Sequence, residues 1–258
     1  MTSVIAHRGA SGDAPENTLA AARIAVRHGA DAVECDVHRT RDGALVVIHD
    51  RHVRRTTNGL AALPRRGRLR VAELTLDEIQ RLDAGAWFDP AFVGERVPTL
   101  QEWAAEIGSA ADLLVEMKRP SDYPSIQHDL AVELRTGALA AAVARRGVTV
   151  QSFDHAWLRR FREVVPDVPV GVLSEGRLGP ELVELARGFA HHLNPALGAV
   201  DPSTVLRLRD AGLGVSVWTA NTHRQLRRAL ACGVDGVITD RPARLRPLVA
   251  QRFPPESA

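Results

Sequence analysis

At 258 residues, with 45% hydrophobic and 25% charged side chains, the chain has room for one α/β barrel or two small domains and the make-up of an ordinary globular protein. A formal net charge of +2, with no basic stripe interleaved with aromatics, argues against a nucleic-acid surface. No apolar run approaches a membrane span, and the start MTSVIAHRG lacks the regions of a signal peptide, so a cytoplasmic protein with free thiols at Cys35 and Cys232 is expected.

Taken in chain order, short runs rich in Val and Ile alternate with amphipathic stretches. Strands are expected at Val4–His7, Ala32–Val37, Leu113–Lys118, Val148–Phe153, Val168–Leu173, Ala190–Asn194, Leu213–Thr219 and Gly236–Thr239. Helical patterns lie between most of them, among them NTLAAARIAVRHG, HAWLRRFREVV, PELVELARG, PSTVLRLRDAG and RQLRRALACG. Several of these close on Gly, where a C-cap is expected. Eight such units predict a (β/α)₈ TIM barrel. An open doubly wound sheet is the weaker choice, because no G-x-G-x-x-G follows the first strand.

One region breaks the alternation. ALVVIHD is an extra strand-like run, and the Asp-Gly of the preceding RTRDG suggests a hairpin. Residues 51–98 then read as polar turns (RTTNG), a basic run (RRGRLR) taken as a solvated loop, and one helix in TLDEIQRLDAG. This is expected to be a small insertion over the barrel mouth. The final PPESA is expected to fray.

In a barrel, polar side chains at the C-terminal ends of strands line the active site. Those ends hold His7 and Arg8, Glu34 and Asp36, Glu116 and Lys118, Gln151 and Phe153, and Trp218, with His49 on the extra strand. Glu34 and Asp36 stand at i and i+2, so they share a face with Cα atoms roughly 6.5–7 Å apart, and Cys35 points the other way into the core. Two carboxylates on one face repel unless a cation separates them. With Glu116 from another strand they form an all-oxygen site suited to a hard cation, Mg²⁺ or Ca²⁺. His7 and His49 are the candidate acid and base, in an order the residues leave open, because imidazole titrates near pH 6.5. The remaining histidines are assigned to surface or core. In APENT, an Asn17 or Thr18 N-cap with acidic first-turn charge explains much of the pattern.

The segments AHRGASGDAPENT, GADAVECDVHRTRDGALVVIHD, RTTNG, LTLDEIQRLDAGAWFDPAFVGERVPTLQE, VEMK, QSFD, VWTAN and GVDGVITDRP occur in that order. Together they resemble the glycerophosphodiester phosphodiesterase family, from Val4 to about Pro242. The resemblance implies a TIM barrel with a small insertion, and hydrolysis of glycerophosphodiesters to sn-glycerol 3-phosphate and an alcohol with one divalent metal ion. It implies Glu34, Asp36 and Glu116 as metal ligands and His7 and His49 as catalytic histidines. Arg8 and Lys118 would hold the phosphate, and Phe153 and Trp218 would form an apolar wall near the glycerol or leaving group. The alternatives are a related sphingomyelinase D-like phospholipase or a non-catalytic barrel that only binds glycerophosphodiesters. The headgroup, the native ion and the oligomeric state stay open.

Overall fold

The computed structural model describes residues 1–64, 67, 69–176 and 178–252. Three arginines of the basic run RRGRLR, at 65, 66 and 68, and the final PPESA therefore lie outside the described residues.

The strands among the described residues are β1 (Ser3–Ala6), β2 (Ala32–Arg39), β3 (Leu45–Val47), β4 (Asp112–Met117), β5 (Val148–Ser152), β6 (Val170–Ser174), β7 (His192–Pro195), β8 (Ser216–Val217) and β9 (Gly236–Thr239). All except β3 run parallel, in the order β7-β6-β5-β4-β2-β1-β9-β8. Parallel bridges from His192 to Gly214 and from Ala196 to Trp218 join the two ends, so the sheet is a nearly closed (β/α)₈ barrel. β3 pairs antiparallel with β2, with Val37 opposite Val47, as the Asp-Gly turn predicts.

The helices are α1 (Leu19–Arg27), α2 (Gly59–Ala62), α3 (Leu76–Gln80), α4 (Leu100–Ile107), α5 (Ile126–Glu133), α6 (Gly137–Ala144), α7 (His155–Val164), α8 (Pro180–Arg187), α9 (Pro202–Asp210), α10 (His223–Cys232) and α11 (Pro242–Arg252). None is long and apolar enough to cross a membrane, among the described residues. Capping boxes start α3 (Thr75, Glu78), α4 (Thr99, Glu102) and α10 (Thr222, Gln225), each satisfying two orphan N–H groups. α10 ends on Gly233 in the left-handed conformation.

Outward-facing strand residues such as Val33, Cys35, Val115 and Val150 pack with Trp103, Trp157 and Phe161 of the helix layer in one core. Both cysteines are buried free thiols. A second apolar cluster joins Val46 and Ile48 to Val53, Val71, Leu74, Ile79, Leu82 and Val97, so the β3–β4 connection builds its own small core against the hairpin. Several expected boundaries shift. His7, His49, Lys118, Phe153 and Trp218 fall just past the ends of their strands, and the TLDEIQRLDAG helix covers only Leu76–Gln80. The strand ends sit one or two residues early because the chain turns there to aim polar side chains into the mouth, a requirement that apolar patterning does not register.

Candidate active site

β2 and β4 are register partners with Asp36 opposite Glu116, which brings their carboxylates to one side of the sheet. Ligand oxygens of Glu34, Asp36 and Glu116 lie within 4.8 Å of one another. The three side chains are 1%, 1% and 7% exposed. Buried carboxylates are normally bonded on every lone pair, yet Glu34 Oε1 has no hydrogen-bond partner and Asp36 Oδ1 has only the ammonium of Lys118, at 3.4 Å. Burial, then the charges of Asp36 and Glu116, push Glu34 well above the ordinary carboxylate range. Burial and Asp36 raise Glu116 to about 7, against the pull of Lys118. Asp36 goes the other way: burial acts upward, but Arg8 and Lys118 hold it well below its ordinary value. The cluster therefore carries more negative charge than its two bases relieve. A divalent cation among these oxygens fits both the orphaned lone pairs and the all-oxygen donor set.

Both histidines reach the same cavity, and each is held by an aspartate. His7 Nδ1 lies 2.6 Å from Asp240, and His49 Nδ1 lies 2.7 Å from Asp50. A carboxylate only accepts, so Nδ1 carries the proton in each ring and Nε2 is left for proton exchange. Asn221 fixes Asp240, donating from its amide nitrogen to the carboxylate at 2.5 Å and accepting from the Asp240 backbone N–H at 2.8 Å. Burial lowers the His49 pKa, with Arg8 and Lys118 adding to the shift and Asp36 opposing it.

Arg8 takes the left-handed conformation, φ 57°, uncommon for a side chain of its size. There its backbone N–H donates to Glu34 at 2.8 Å while its guanidinium lies 3.1 Å from Asp36 and 2.9 Å from Glu16. The following Gly9 has φ 79°, and a Cβ there would come within 2.6 Å of the α1 backbone at Ala21, so only glycine fits in H-R-G. Lys118 Nζ lies 2.5 Å from Glu116 and 3.4 Å from Asp36. Arg55 spans Asp50 and Glu16, at 2.8 and 2.7 Å.

The reading of APENT holds for a Thr18 cap and needs correction for the acidic first turn. Thr18 alone caps α1, accepting from Ala21, and the first turn of α1 has no acidic residue. Asn17 instead donates to Asp36 at 2.8 Å from a left-handed backbone, φ 60°, and Glu16 is drawn off the helix to the two arginines. Opposed charge from the barrel mouth outweighs the helix terminus.

His7, Arg8, Glu34, His49, Glu116, Lys118, Phe153 and Trp218 line one cavity of about 150 Å³. Asp36 lies beneath it, reaching Arg8 and Lys118. Phe153 and Trp218 meet edge to face with centroids 5.5 Å apart. Sequence reasoning missed Asp240, Asn221, Asp50, Glu16, Asn17 and Arg55 as partners of the site residues. Of these, Asp50 carried a local signal because it adjoins His49, and Asn221 because it stands just after Trp218 at a strand end.

A match to the Glycerophosphoryl diester phosphodiesterase family spans residues 7–244. A glycerophosphodiester phosphodiesterase of Caldanaerobacter subterraneus subsp. tengcongensis is 38% identical over 96% of this chain and 98% of its own. One from Bacillus subtilis is 33% identical over 92% of this chain and 83% of its own. The structure of an Oleispira antarctica phosphodiesterase in complex with the product sn-glycerol-3-phosphate superposes with a TM-score of 0.84 at 26% identity, covering 96% of this chain and 97% of that one. With the residues it matches running across nearly the whole barrel, this chain belongs to the Glycerophosphoryl diester phosphodiesterase family.

Proposed function

We propose that the protein hydrolyses glycerophosphodiesters to sn-glycerol 3-phosphate and an alcohol. In this reading Glu34, Asp36 and Glu116 hold one divalent cation, Mg²⁺ or Ca²⁺. The observation that carries it is the cluster of three buried carboxylates, with one oxygen of Glu34 unpartnered, beside the cavity that also receives two aspartate-held imidazoles. The product-bound Oleispira antarctica neighbour supports a small glycerol phosphate ligand. We further take residues 51–98 as an inserted subregion of a single barrel, on the ground of their separate apolar cluster.

A bound divalent cation would supply Lewis-acid neutralisation of charge on the phosphoryl oxygens. The protein's own groups do the rest. Arg8 and Lys118 bind the remaining phosphate charge, and with them the three carboxylates, the cation and a diester monoanion come to zero net charge. Phe153 and Trp218 wall the substrate and exclude water. His7 Nε2 takes the proton of the nucleophile, whether water or the glycerol hydroxyl beside the ester. His49 Nε2 gives a proton to the leaving alkoxide. Asp240 keeps the Nε2 lone pair of His7 free and stabilises the imidazolium that forms when it takes the nucleophile's proton; Asp50 stabilises the His49 imidazolium, which must carry a proton on Nε2 before it can act as the acid.

His7→Ala should lower the rate of sn-glycerol 3-phosphate release by about 10²–10⁴-fold. Because the His7 side chain is 19% exposed and its main bond is to one carboxylate, the melting temperature should stay within a few degrees. A variant retaining a tenth or more of wild-type turnover would remove His7 from the chemistry.

A further inference from the structure

The cavity has two chemically distinct halves. One is built by β1, β2 and β4 with the His49 loop, and it carries the carboxylates, imidazoles and bases. The other is built from the ends of β5, β6 and β8, by Gln151, Phe153, Leu173, Glu175 and Trp218. We propose that this second half is a headgroup subsite selecting glycerophosphodiesters whose alcohol carries a cationic ammonium on a short tether. The proposal rests on the hydrolytic reading above and narrows its substrate class.

The second half offers little to a polyol. Trp218 Nε1 already donates to the Asn194 carbonyl at 2.8 Å, so the indole shows the cavity only carbon surface. The Gln151 side chain accepts from Asn194 at 3.0 Å. Leu173 and Ile238 are apolar, so the Gln151 amide nitrogen and the Thr219 hydroxyl are the neutral polar groups left along the lining. What the half does offer suits a cation. Phe153 is 40% exposed and stands at 86° to Trp218, making an aromatic corner. Electron-rich ring faces attract ammonium groups, and a quaternary ammonium needs no hydrogen-bond acceptors.

The charge pattern points the same way. Glu175, on the loop after β6, lines this half and has no ion-pair partner among the described residues. The carboxylates across the cavity instead face Arg8 and Lys118. A zwitterionic diester would set its phosphate on the bases and its ammonium towards Glu175. An anionic headgroup would meet that carboxylate with like charge. Lys118 Nζ already lies over the Phe153 ring, 6.0 Å from its centre, so the ring attracts a cation here and the aromatic corner begins beside the phosphate-holding base. Arg177, the next charged residue along the chain, lies outside the described residues.

The test uses glycerophosphocholine, glycerophosphoglycerol and glycerophosphoinositol. Each is assayed for kcat/KM with Mg²⁺ or Ca²⁺ present, and for binding to His7→Ala by isothermal titration, so that affinity is read without turnover. Wild type should favour the choline diester over the other two by about fivefold or more. Glu175→Gln should shrink that ratio about threefold at low ionic strength, and Glu175→Lys should reverse it. Phe153→Leu should lower it as well. Ratios near one in the wild type, or ratios that neither Glu175 variant moves, overturn the subsite. If no diester is hydrolysed yet the binding ratios follow this pattern, the subsite stands and the hydrolytic reading falls. Hydrolysis with flat ratios has the opposite meaning.

Discussion

Lys118 is the only lysine in a chain that otherwise uses arginine for every basic side chain of that pair. Its position gives the reason. Nζ sits between Glu116 and Asp36, at 2.5 and 3.4 Å, with the side chain 16% exposed. A compact ammonium fits between two carboxylates that, on the proposed reading, also leave room for a cation, and a planar guanidinium fork is wider. Lys118→Arg keeps the charge, so a purely electrostatic role would survive it. We expect kcat/KM to fall about tenfold or more, and a wild-type rate would show that the size of the head is irrelevant. The residues that sequence alone exposed share a property with Lys118. Glu34 and Asp36 stand two apart on one strand, and Glu116 and Lys118 repeat the spacing, so period two declares their common face. Asp240 lies 233 residues from the histidine it holds, and no local pattern links them. Asn17 looked like a cap because Asn is common at helix starts; only the closed barrel shows it bound to Asp36.

At the scale of elements, the β2–β3 hairpin and the segment after it bring His49 and its supports to the site. Arg55, in the RTTNG turn, holds Asp50 and Glu16 at once. Asp50 holds His49, and Glu16 holds Arg8. One arginine thus ties the hairpin side of the mouth to the loop after β1. Burial raises the Asp50 pKa, but its bonds to Arg55 and His49 bring it down to about 2, so the carboxylate stays charged at neutral pH. Arg55 is 45% exposed and outside the main core, so its loss should cost little stability. We expect Arg55→Ala to lower kcat/KM by about ten- to a hundredfold while the melting temperature holds within a few degrees. Arg55→Lys should recover only part of the rate, because an ammonium cannot span both carboxylates. An Arg55→Ala variant with wild-type kinetics would show that the two clamps work independently. The alternating pattern located the hairpin and the barrel strands, yet β8 shrinks to two residues. Tertiary closure, through the bridges to Gly214 and Trp218, decides that edge.

For the whole molecule, folding buries an imidazole under the site. His38 is fully buried, its Nδ1 2.6 Å from the Tyr123 hydroxyl and its Nε2 3.1 Å from the His49 carbonyl. A carbonyl only accepts, so Nε2 donates and Nδ1 accepts from the phenol. Burial lowers its pKa to about 4, against the pull of the His49 backbone and Asp36. A depressed histidine pKa means that the unfolded chain binds the proton first. Above about pH 6.5 the effect on stability is absent. As pH falls from there to about 4, stability is lost, by up to roughly 3 kcal/mol, and below that the loss levels off. The stability of wild type should fall relative to His38→Gln by up to roughly 3 kcal/mol as pH drops across that window, so the difference between the two unfolding curves changes with pH. A difference that does not change with pH would mean His38 is charged in the fold. The same barrel that keeps His38 neutral gathers the three carboxylates at its mouth, and their need for a cation is the central claim. The most direct measurement is sn-glycerol 3-phosphate release from a glycerophosphodiester by purified protein, before and after EDTA and after adding back Mg²⁺ or Ca²⁺. The account predicts turnover that EDTA abolishes and a divalent ion restores, with Glu34→Ala unable to respond. Full activity in EDTA would contradict it.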